Sequence, residues 1–533
     1  MINKIMKYKF LKKSNLIAFL AGGICVLAFA PFNFFIASLV SVSTFFTLLN
    51  FKKNKKKLFW LGFCYGFGYF LFGIYWIAIS LFVDIKKFFW LVPLAITVIP
   101  AFLAIYFGLL AISYRYFSLK LKLIYNYQKI ILFAIFWLFF EFLRSNLFSG
   151  FSWNMLGYAW LFEIHSSQLA SIFGIYGLSF FAVIVSLLPV LAMRQKNIAK
   201  NKSFLKVVLL FLVINFIYGV FYINEKNIVK LDNAKIRLVQ PNISQDIRWV
   251  EDKKIQNLLK HIQLSNIGNI DDFKAIIWTE NSIPFIVDNN NDQLMQLLKN
   301  AVPNKGTLIT GGIRVDYKNN QKDKISNVWN SIFFINKNGI EKHYDKHHLV
   351  PFGEYVPLHK LFRFLLIDDI VDKITGGGFG FSEGYGPKTI EVNNFSFSPL
   401  ICYEAIFTNN VIEKNTKPEF FINLTNDAWF GNSIGPYQHF DMTRMRAIEY
   451  GIPLIRVANT GITAFIDHYG RIVSKIDLNQ EGVVDVDLIK SNGSSFYFKY
   501  GNIATIIMML IAVIFIIKFP KIKFFKNNKN FDH

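Results

Sequence analysis

Three residue types that can cooperate in acyl chemistry stand far apart in the chain: Glu280 in KAIIWTENSIP, Lys346 in HYDKHHLVPFGEYVPL and Cys402 in SFSPLICYEA. A thiol becomes a nucleophile when a base takes its proton and a nearby cation or helix N-terminus favours the thiolate. Its attack on a carbonyl creates an oxyanion, which needs donors of its own. A carboxylate, an ammonium and a cysteine answer those needs together. Each also has an ordinary reading: Glu280 as a turn or helix cap, Lys346 as a solvated surface lysine, Cys402 as a small buried side chain. Glu280 and Cys402 end short apolar runs that read as strands, while Lys346 lies among polar groups just before an apolar turn containing Pro351, Gly353 and Pro357; a strand end can present a side chain at the top of a sheet. Spacing alone does not make them converge.

The elements that must position them divide the chain in two. Of 533 residues, 53% are hydrophobic and 17% charged, with a formal charge of +23. This balance excludes a disordered chain, a fibre and an ordinary soluble enzyme. It leaves a membrane protein with cationic loops or a basic nucleic-acid binder with a large core. Crossing a hydrocarbon layer of about 30 Å takes about 20 mostly apolar residues. Such runs lie near 15–31, 33–51, 58–82, 88–112, 130–146, 167–193, 204–223 and 502–517. Lys and Arg mark cytoplasmic loops, and here they gather before the first run, after the second, fourth and sixth, and in the tail. Both termini are therefore expected in the cytoplasm and residues 224–500 outside it. That segment holds 31 Lys and Arg against 31 Asp and Glu, so the whole positive excess belongs to the remainder. The charge thus reads as an orientation signal, and no nucleic-acid partner is expected.

The expected organisation is a seven-helix transmembrane domain over 1–223, a catalytic domain over 224–500, and a helix with a basic cytoplasmic tail over 501–533. Within the middle segment, strand-like runs such as AKIRLVQ, GTLITGGIRV and EFFINLTND alternate with helical patterns such as EDKKIQNLLKHIQ. Alternation of this kind reads as a layered α/β domain.

The order of Glu280 in IIWTENSIPF, Lys346 in YDKHHLVPFGEYVP and Cys402 in LICYE resembles the Glu-Lys-Cys triad of the nitrilase superfamily. The string NLTNDAWFGNSIGPYQHFDMTRMRAIEYGIPLIRVANTGITAFID, with the flanking spans, narrows the resemblance to the apolipoprotein N-acyltransferase family. It covers nearly the whole chain. The resemblance implies a polytopic α-helical membrane protein of about eight transmembrane helices carrying an extracytoplasmic α/β nitrilase-like αββα sandwich. It implies a bacterial inner membrane, with the catalytic domain on the periplasmic side. The activity implied is transfer of a fatty acyl chain from a membrane phospholipid, through a cysteine thioester, to the free α-amino group of the diacylglyceryl-cysteine of an apolipoprotein. No cofactor or metal is implied, and a monomer is expected.

Under the same resemblance Glu280 is the general base, Cys402 the nucleophile and Lys346 the oxyanion stabiliser. Glu354 in PFGEYVP either orients Lys346 or caps a turn, and Tyr403 and Glu404 support the site. Trp249 in ISQDIRW contacts the acyl chain or substrate, or simply packs. Asn426 and Trp429 in NDAWFG, with Asp427 between them, shape the substrate pocket or its loops and perform no chemistry. Two alternatives stay open: a membrane-tethered amidase or nitrilase with water as acceptor, and a non-catalytic lipid-binding or transport protein.

Other features carry weaker expectations. Residues 358–371 place Leu358, Leu361, Phe362, Leu365 and Leu366 on one helical face, with Lys360 and Arg363 beside them. This is core packing or an arm lying in the membrane interface, and Gly376, Gly377, Gly378 and Gly380 after it would let an arm move. Glu141 and Arg144, one turn apart near the end of the fifth run, are satisfied locally or hold a lipid head group. His343, His347 and His348 have no further ligand set beside them, so no metal is expected.

Overall fold

The computed structural model describes residues 13–193, 198–223, 228–289, 291–318, 325–355, 380–490 and 495–518. The apolar runs form helices α1 (Ser14–Cys25), α2 (Ile36–Phe51), α3 (Lys55–Ile74), α4 (Val92–Lys120), α5 (Asn126–Asn146), α6 (Ala170–Ser186) and α7 (Ile198–Tyr222). Among the described residues, five segments are long and apolar enough to cross a membrane: Lys55–Phe82, Phe89–Lys120, Asn126–Asn146, Ala170–Ala192 and Asn201–Tyr222. Ser14–Ala28, Ile36–Phe51 and Ile503–Ile517 are shorter apolar helices.

The packing suits lipid on the outside. Val207, Leu210, Val213 and Ile214 of α7 are largely exposed, a face that would forfeit about 25 cal/mol per Å² in water. Between helices, small residues let backbones touch, which matters where lipid removes the hydrophobic drive for association. A Cβ on Gly62 of α3 would lie 2.2 Å from the carbonyl oxygen of Phe107 on α4. The third run changes character where the sequence suggests one continuous span. Its α-helix ends at Ile74 and a 3₁₀ stretch, Tyr75–Asp84, follows. Trp76 there meets the rings of Trp153 and Phe430 at 4.5 and 4.4 Å. Phe430 belongs to the α/β domain, so Trp76 packs against that domain.

The α/β domain has strands β1 (Val229–Gln240), β2 (Ala275–Ile277), β3 (Thr307–Tyr317), β4 (Ile325–Asn336), β5 (Gly339–Asp345), β6 (Ile390–Val392), β7 (Phe395–Ile401), β8 (Phe420–Thr425), β9 (Leu454–Ala458), β10 (Thr463–Ile466), β11 (Ile472–Ile476) and β12 (Gly482–Lys490). They form two six-stranded sheets, ordered β12-β1-β2-β3-β4-β5 and β11-β10-β9-β8-β7-β6. β8 and β9 are buried along their whole length, as expected of parallel strands covered on both faces. The sheets face each other through Leu238, Ile277, Ile309 and Phe334 on one side and Phe397, Ile422, Leu424 and Val457 on the other. Helices α8 (Glu251–Ser265) and α9 (Asp292–Lys299) cover the first sheet through Leu258, Ile262, Leu294 and Leu298. Helix α10 (Gly435–Tyr450) covers the second through Phe440 and Ala447. The result is the expected αββα sandwich.

Helix α10 also explains how the two halves join. Its opposite face, Met442, Met445 and Ile448, belongs to the core of the helical domain. Polar bonds fix the register: Trp153 Nε1 donates to Gln438 Oε1 at 2.8 Å, and Ile175 N donates to Glu449 Oε1 at 2.7 Å. Helix α11 (Ile503–Lys518) then returns the chain to the helical domain. Glu141 and Arg144 serve the loop after α5. Glu141 Oε1 accepts from Trp137 Nε1 and Leu156 N at 2.9 and 2.8 Å, and Arg144 Nη1 donates to the carbonyls of Phe151 and Trp153 at 2.6 and 2.7 Å. The stripe at 358–371, the glycines 376–378 and the basic tail lie outside the described residues.

Candidate active site

Strand direction brings the candidate residues together. β1, β2 and β3 are parallel, and β4 is antiparallel to both β3 and β5, so β2 and β5 point the same way. β7, β8 and β9 are parallel in the other sheet. Side chains just past the carboxyl ends of such strands open into a common crevice. Glu280 lies three residues beyond β2; Lys346, Cys402 and Asn426 immediately follow β5, β7 and β8.

Glu280 is buried and held at both oxygens. Oε1 accepts from Asn330 Nδ2 and Oε2 from the Asn426 backbone N–H, each at 2.8 Å. Its own carbonyl accepts from the Arg248 guanidinium. Burial raises the carboxyl above the ordinary glutamate pKa; Lys346 pulls it down and Glu354 pushes it further up. The turn after Glu280 presses against β3. A Cβ on Gly311 would lie 2.3 Å from Asn281 N and 2.7 Å from Glu280 Cα, so alanine there must displace the carboxylate. A shift of about 1 Å costs on the order of 10²-fold in rate. Gly311→Ala is expected to lose activity on that scale while Cys402 still reacts with iodoacetamide, measured by acyl-transfer rates and peptide mass spectrometry.

Lys346 is 1% exposed. Its Nζ donates to Glu354 Oε1 at 2.7 Å and stands 3.9 Å from Glu280 Oε1. Burial works to lower its pKa, but Glu354 and Glu280 outweigh that and hold the ammonium above the ordinary lysine value. Glu354 also accepts from Asn330 Nδ2 at 3.1 Å and from Val350 N at 2.8 Å. Its carboxylate therefore both orients Lys346 and closes the Val350–Tyr355 turn, so the two sequence readings of Glu354 coexist.

Cys402 is the first residue of the 3₁₀ turn Cys402–Ile406 and has φ of 49°. A left-handed backbone at a non-glycine residue costs about 1–3 kcal/mol and persists only where the surroundings enforce it. Burial and the Glu280 carboxylate raise the thiol pKa, and Lys346 offsets part of the rise. The resting group is thus a thiol beside a carboxylate.

Glu404 is the main brace of this turn. Its Oε2 accepts from Ile401 N at 2.6 Å, and Oε1 accepts from His347 N and His348 N at 2.8 and 3.2 Å. Tyr344 Oη and His347 Nδ1 also approach it at 3.0 and 2.7 Å. One carboxylate thereby fastens the segment carrying Lys346 to the turn carrying Cys402. Burial would raise its pKa, but His347 and the backbone donors hold it below the ordinary range.

The remaining candidates fall at the edges. Tyr403 turns towards the helical domain, where its Oη donates to the Gly150 carbonyl at 3.0 Å. Asn426 serves Glu280 through its backbone, while its side chain bonds Gln245 and Asn459 at 2.8 and 3.0 Å. Trp249 and Trp429 are 40% and 41% exposed. Trp249 follows Arg248, which touches Glu280, and Trp429 lies in the 3₁₀ turn Asp427–Phe430 against the helical domain. Asn330 and Arg248 were not singled out from sequence. A lone asparagine inside the apolar strand VWNSIFFIN was the available signal for the first; Arg248 carried none beyond its place beside Trp249.

Comparison with known proteins covers both halves. A family model described as the apolipoprotein N-acyltransferase N-terminal domain matches residues 21–188, and a carbon-nitrogen hydrolase model matches residues 235–494. The apolipoprotein N-acyltransferase of Rickettsia typhi is 37% identical over 511 residues, covering 95% of this chain and 97% of its own. That of Rickettsia prowazekii is 36% identical over 509 residues, with the same coverage. That of Rhodopseudomonas palustris is 33% identical over 523 residues, covering 95% of each. With similarity running through the membrane helices and the αββα domain alike, the chain belongs to the apolipoprotein N-acyltransferase family.

Proposed function

We propose that the protein moves a fatty acyl chain from a membrane phospholipid to the α-amino group of a diacylglyceryl-cysteine at the N-terminus of an apolipoprotein, through a thioester on Cys402. The observation that carries this reading is the buried Glu280–Lys346–Glu354 cluster facing a cysteine turn in a domain seated on membrane helices. Because burial and Glu280 keep Cys402 protonated at rest, proton removal by Glu280 accompanies attack on the ester carbonyl. Lys346 stabilises the oxyanion, held for that task by Glu354. The proton on Glu280 passes to the departing lysophospholipid. In the second half the amine attacks the thioester, Glu280 takes its proton, and the thiol returns.

The orientation proposed is a bacterial inner membrane with the α/β domain on the periplasmic face and a monomeric enzyme. The lysine-rich connections, Lys52 to Lys57 and Lys120 to Lys129, lie at the opposite ends of α3, α4 and α5 from those that meet the α/β domain, which supports this orientation under the positive-inside rule.

A direct assay uses phospholipid with a labelled acyl chain and a diacylated lipopeptide. Label on the peptide amine supports the reading; label released only as free fatty acid makes water the acceptor and the protein a hydrolase. The pH profile follows from Glu280. Its carboxylate must be ionised, and its pKa is raised above 4.5, so activity rises with pH through a midpoint above that value. Glu354→Gln removes a like charge that contributes to the rise and is expected to move the midpoint down; kcat/KM measured across pH 4 to 8 checks this.

A further inference from the structure

Asn330 and the Asn426 N–H hold the carboxylate of Glu280, and a second clamp grips the same residue through its main chain. Arg248 is 5% exposed. Its Nη2 donates to the carbonyl of Glu280 and, at 2.7 Å, to that of Asn281. Successive carbonyls along an extended chain point opposite ways, and the left-handed Asn281, with φ of 47°, turns these two towards one nitrogen. Helix α8 seats the arginine in turn: Asn257 Nδ2 donates to the carbonyls of Ile247 and Arg248, each at 3.3 Å. Nη1 is buried and has no partner among the described residues. A buried donor left unpaired costs stability, so the fold by itself gives no reason for an arginine at this place.

We infer that Arg248 is a positioning residue for the acyl transfer: its guanidinium fixes the Glu280–Asn281 turn by two carbonyls and sets a buried positive charge on the main-chain side of the base. The inference rests on the function proposed above, and Arg248 acts in it through Glu280. The charged and titratable groups around the Glu280 carboxylate come from four places in the fold: Arg248 before α8, Lys346 after β5, Glu354 in the Val350–Tyr355 turn and Cys402 after β7. Burial pushes the carboxyl pKa up and Glu354 adds to the rise, while Lys346 and Arg248 pull it down. The two cations differ in what else they do. Lys346 is also the oxyanion donor, so removing it disturbs the chemistry and the base together. Arg248 adjusts the base alone. Burial lowers its own pKa to about 10 and Glu280 counters part of that, which leaves the guanidinium charged at neutral pH.

Two variants separate the grip from the charge. Arg248→Lys keeps a buried cation on a side chain one atom shorter, which does not span to both carbonyls. Its kcat is expected to fall about 10-fold, part of the loss that a displacement of about 1 Å brings, with the acidic midpoint of kcat/KM against pH unchanged. Arg248→Met loses grip and charge together. Its kcat is expected to fall about 10²-fold, and its midpoint to rise by roughly 0.5 pH unit, short of the shift of about 1–3 units that a direct ion pair makes. KM for phospholipid stays as in wild type in both. Arg248→Lys preserves the charge and most of the volume, so it carries the test even where Arg248→Met fails to fold. Infrared difference spectra against pH, with the Glu280 carboxyl band assigned by its loss in Glu280→Gln, read the same midpoint without substrate. Failure of the wild-type enzyme to transfer an acyl chain therefore faults the proposed function alone. Wild-type kcat in either variant, a Glu280 band that titrates in Arg248→Met where it does in wild type, or a raised KM with kcat unchanged contradicts the inference.

Discussion

Cys402→Ala is expected to reduce acyl transfer by at least ~10⁴-fold, the scale on which removal of a covalent nucleophile acts. No other thiol replaces it, since Cys25 and Cys64 sit in α1 and α3 of the helical domain. Losing one sulfur atom from a site so thoroughly braced by Glu404 leaves the fold intact, so thermal unfolding should change little. Cys402→Ser is expected to be nearly as inactive. An alcohol is a poorer nucleophile than a thiol, and an ester would hold the acyl group less reactively towards an amine than a thioester. Rates with labelled phospholipid and lipopeptide, beside a melting curve for each variant, check the pair. Wild-type activity in Cys402→Ala removes the covalent mechanism, and wild-type activity in Cys402→Ser removes the need for a thioester.

Lys346→Met carries the second large effect, for two separable reasons. The first is chemical. Removing the donor to the oxyanion costs about 10²–10³-fold in kcat. The second is electrostatic. Glu280 and Glu354 are bridged by Lys346 and by Asn330, whose Nδ2 reaches both carboxylates. Without the ammonium two buried like charges remain, at a cost of about 3–5 kcal/mol. Glu280 relieves it by taking a proton, because the ammonium that pulled its pKa down is gone, so its midpoint moves up and less of the base is available at neutral pH. Total loss is therefore expected to reach 10³-fold or more, with a lowered melting temperature. The double variant Lys346→Met/Glu354→Gln removes one of the unpaired charges. It is expected to regain stability without regaining activity, because the oxyanion donor is still missing. Recovery of both together would reduce Lys346 to a structural role.

What the sequence made legible follows from where chemistry sits in such folds. Glu280 and Cys402 each end an apolar run, Lys346 follows the polar strand GIEKHYD and precedes an apolar turn, and strand ends are the places a sheet exposes to a crevice. The runs of the membrane half were legible from length and hydropathy. The third also carries a change that hydropathy does not show, from α-helix to the 3₁₀ stretch Tyr75–Asp84, whose Trp76 packs against Phe430 of the α/β domain. Glu404 was legible as a neighbour of the nucleophile but not as the tie between two loops, since its partners His347 and His348 lie more than fifty residues away in sequence. Asn330 was hidden for a similar reason: its value depends on the register of β4 against β5, which places it opposite the strand end that bears Lys346. The direction of Tyr403 was not legible, because the tight turn at Cys402 sends the next side chain towards the helical domain.

The central claim is that Cys402 carries the acyl chain between two lipids. Mass spectrometry of the Cys402 peptide, after the purified enzyme has met phospholipid with no acceptor present, tests it most directly. The account predicts a peptide heavier by one fatty acyl group, cleaved by neutral hydroxylamine as a thioester is, and lost when a diacylated lipopeptide is added. An unmodified Cys402 peptide under conditions that support transfer, or an acyl group found on another residue, would contradict it.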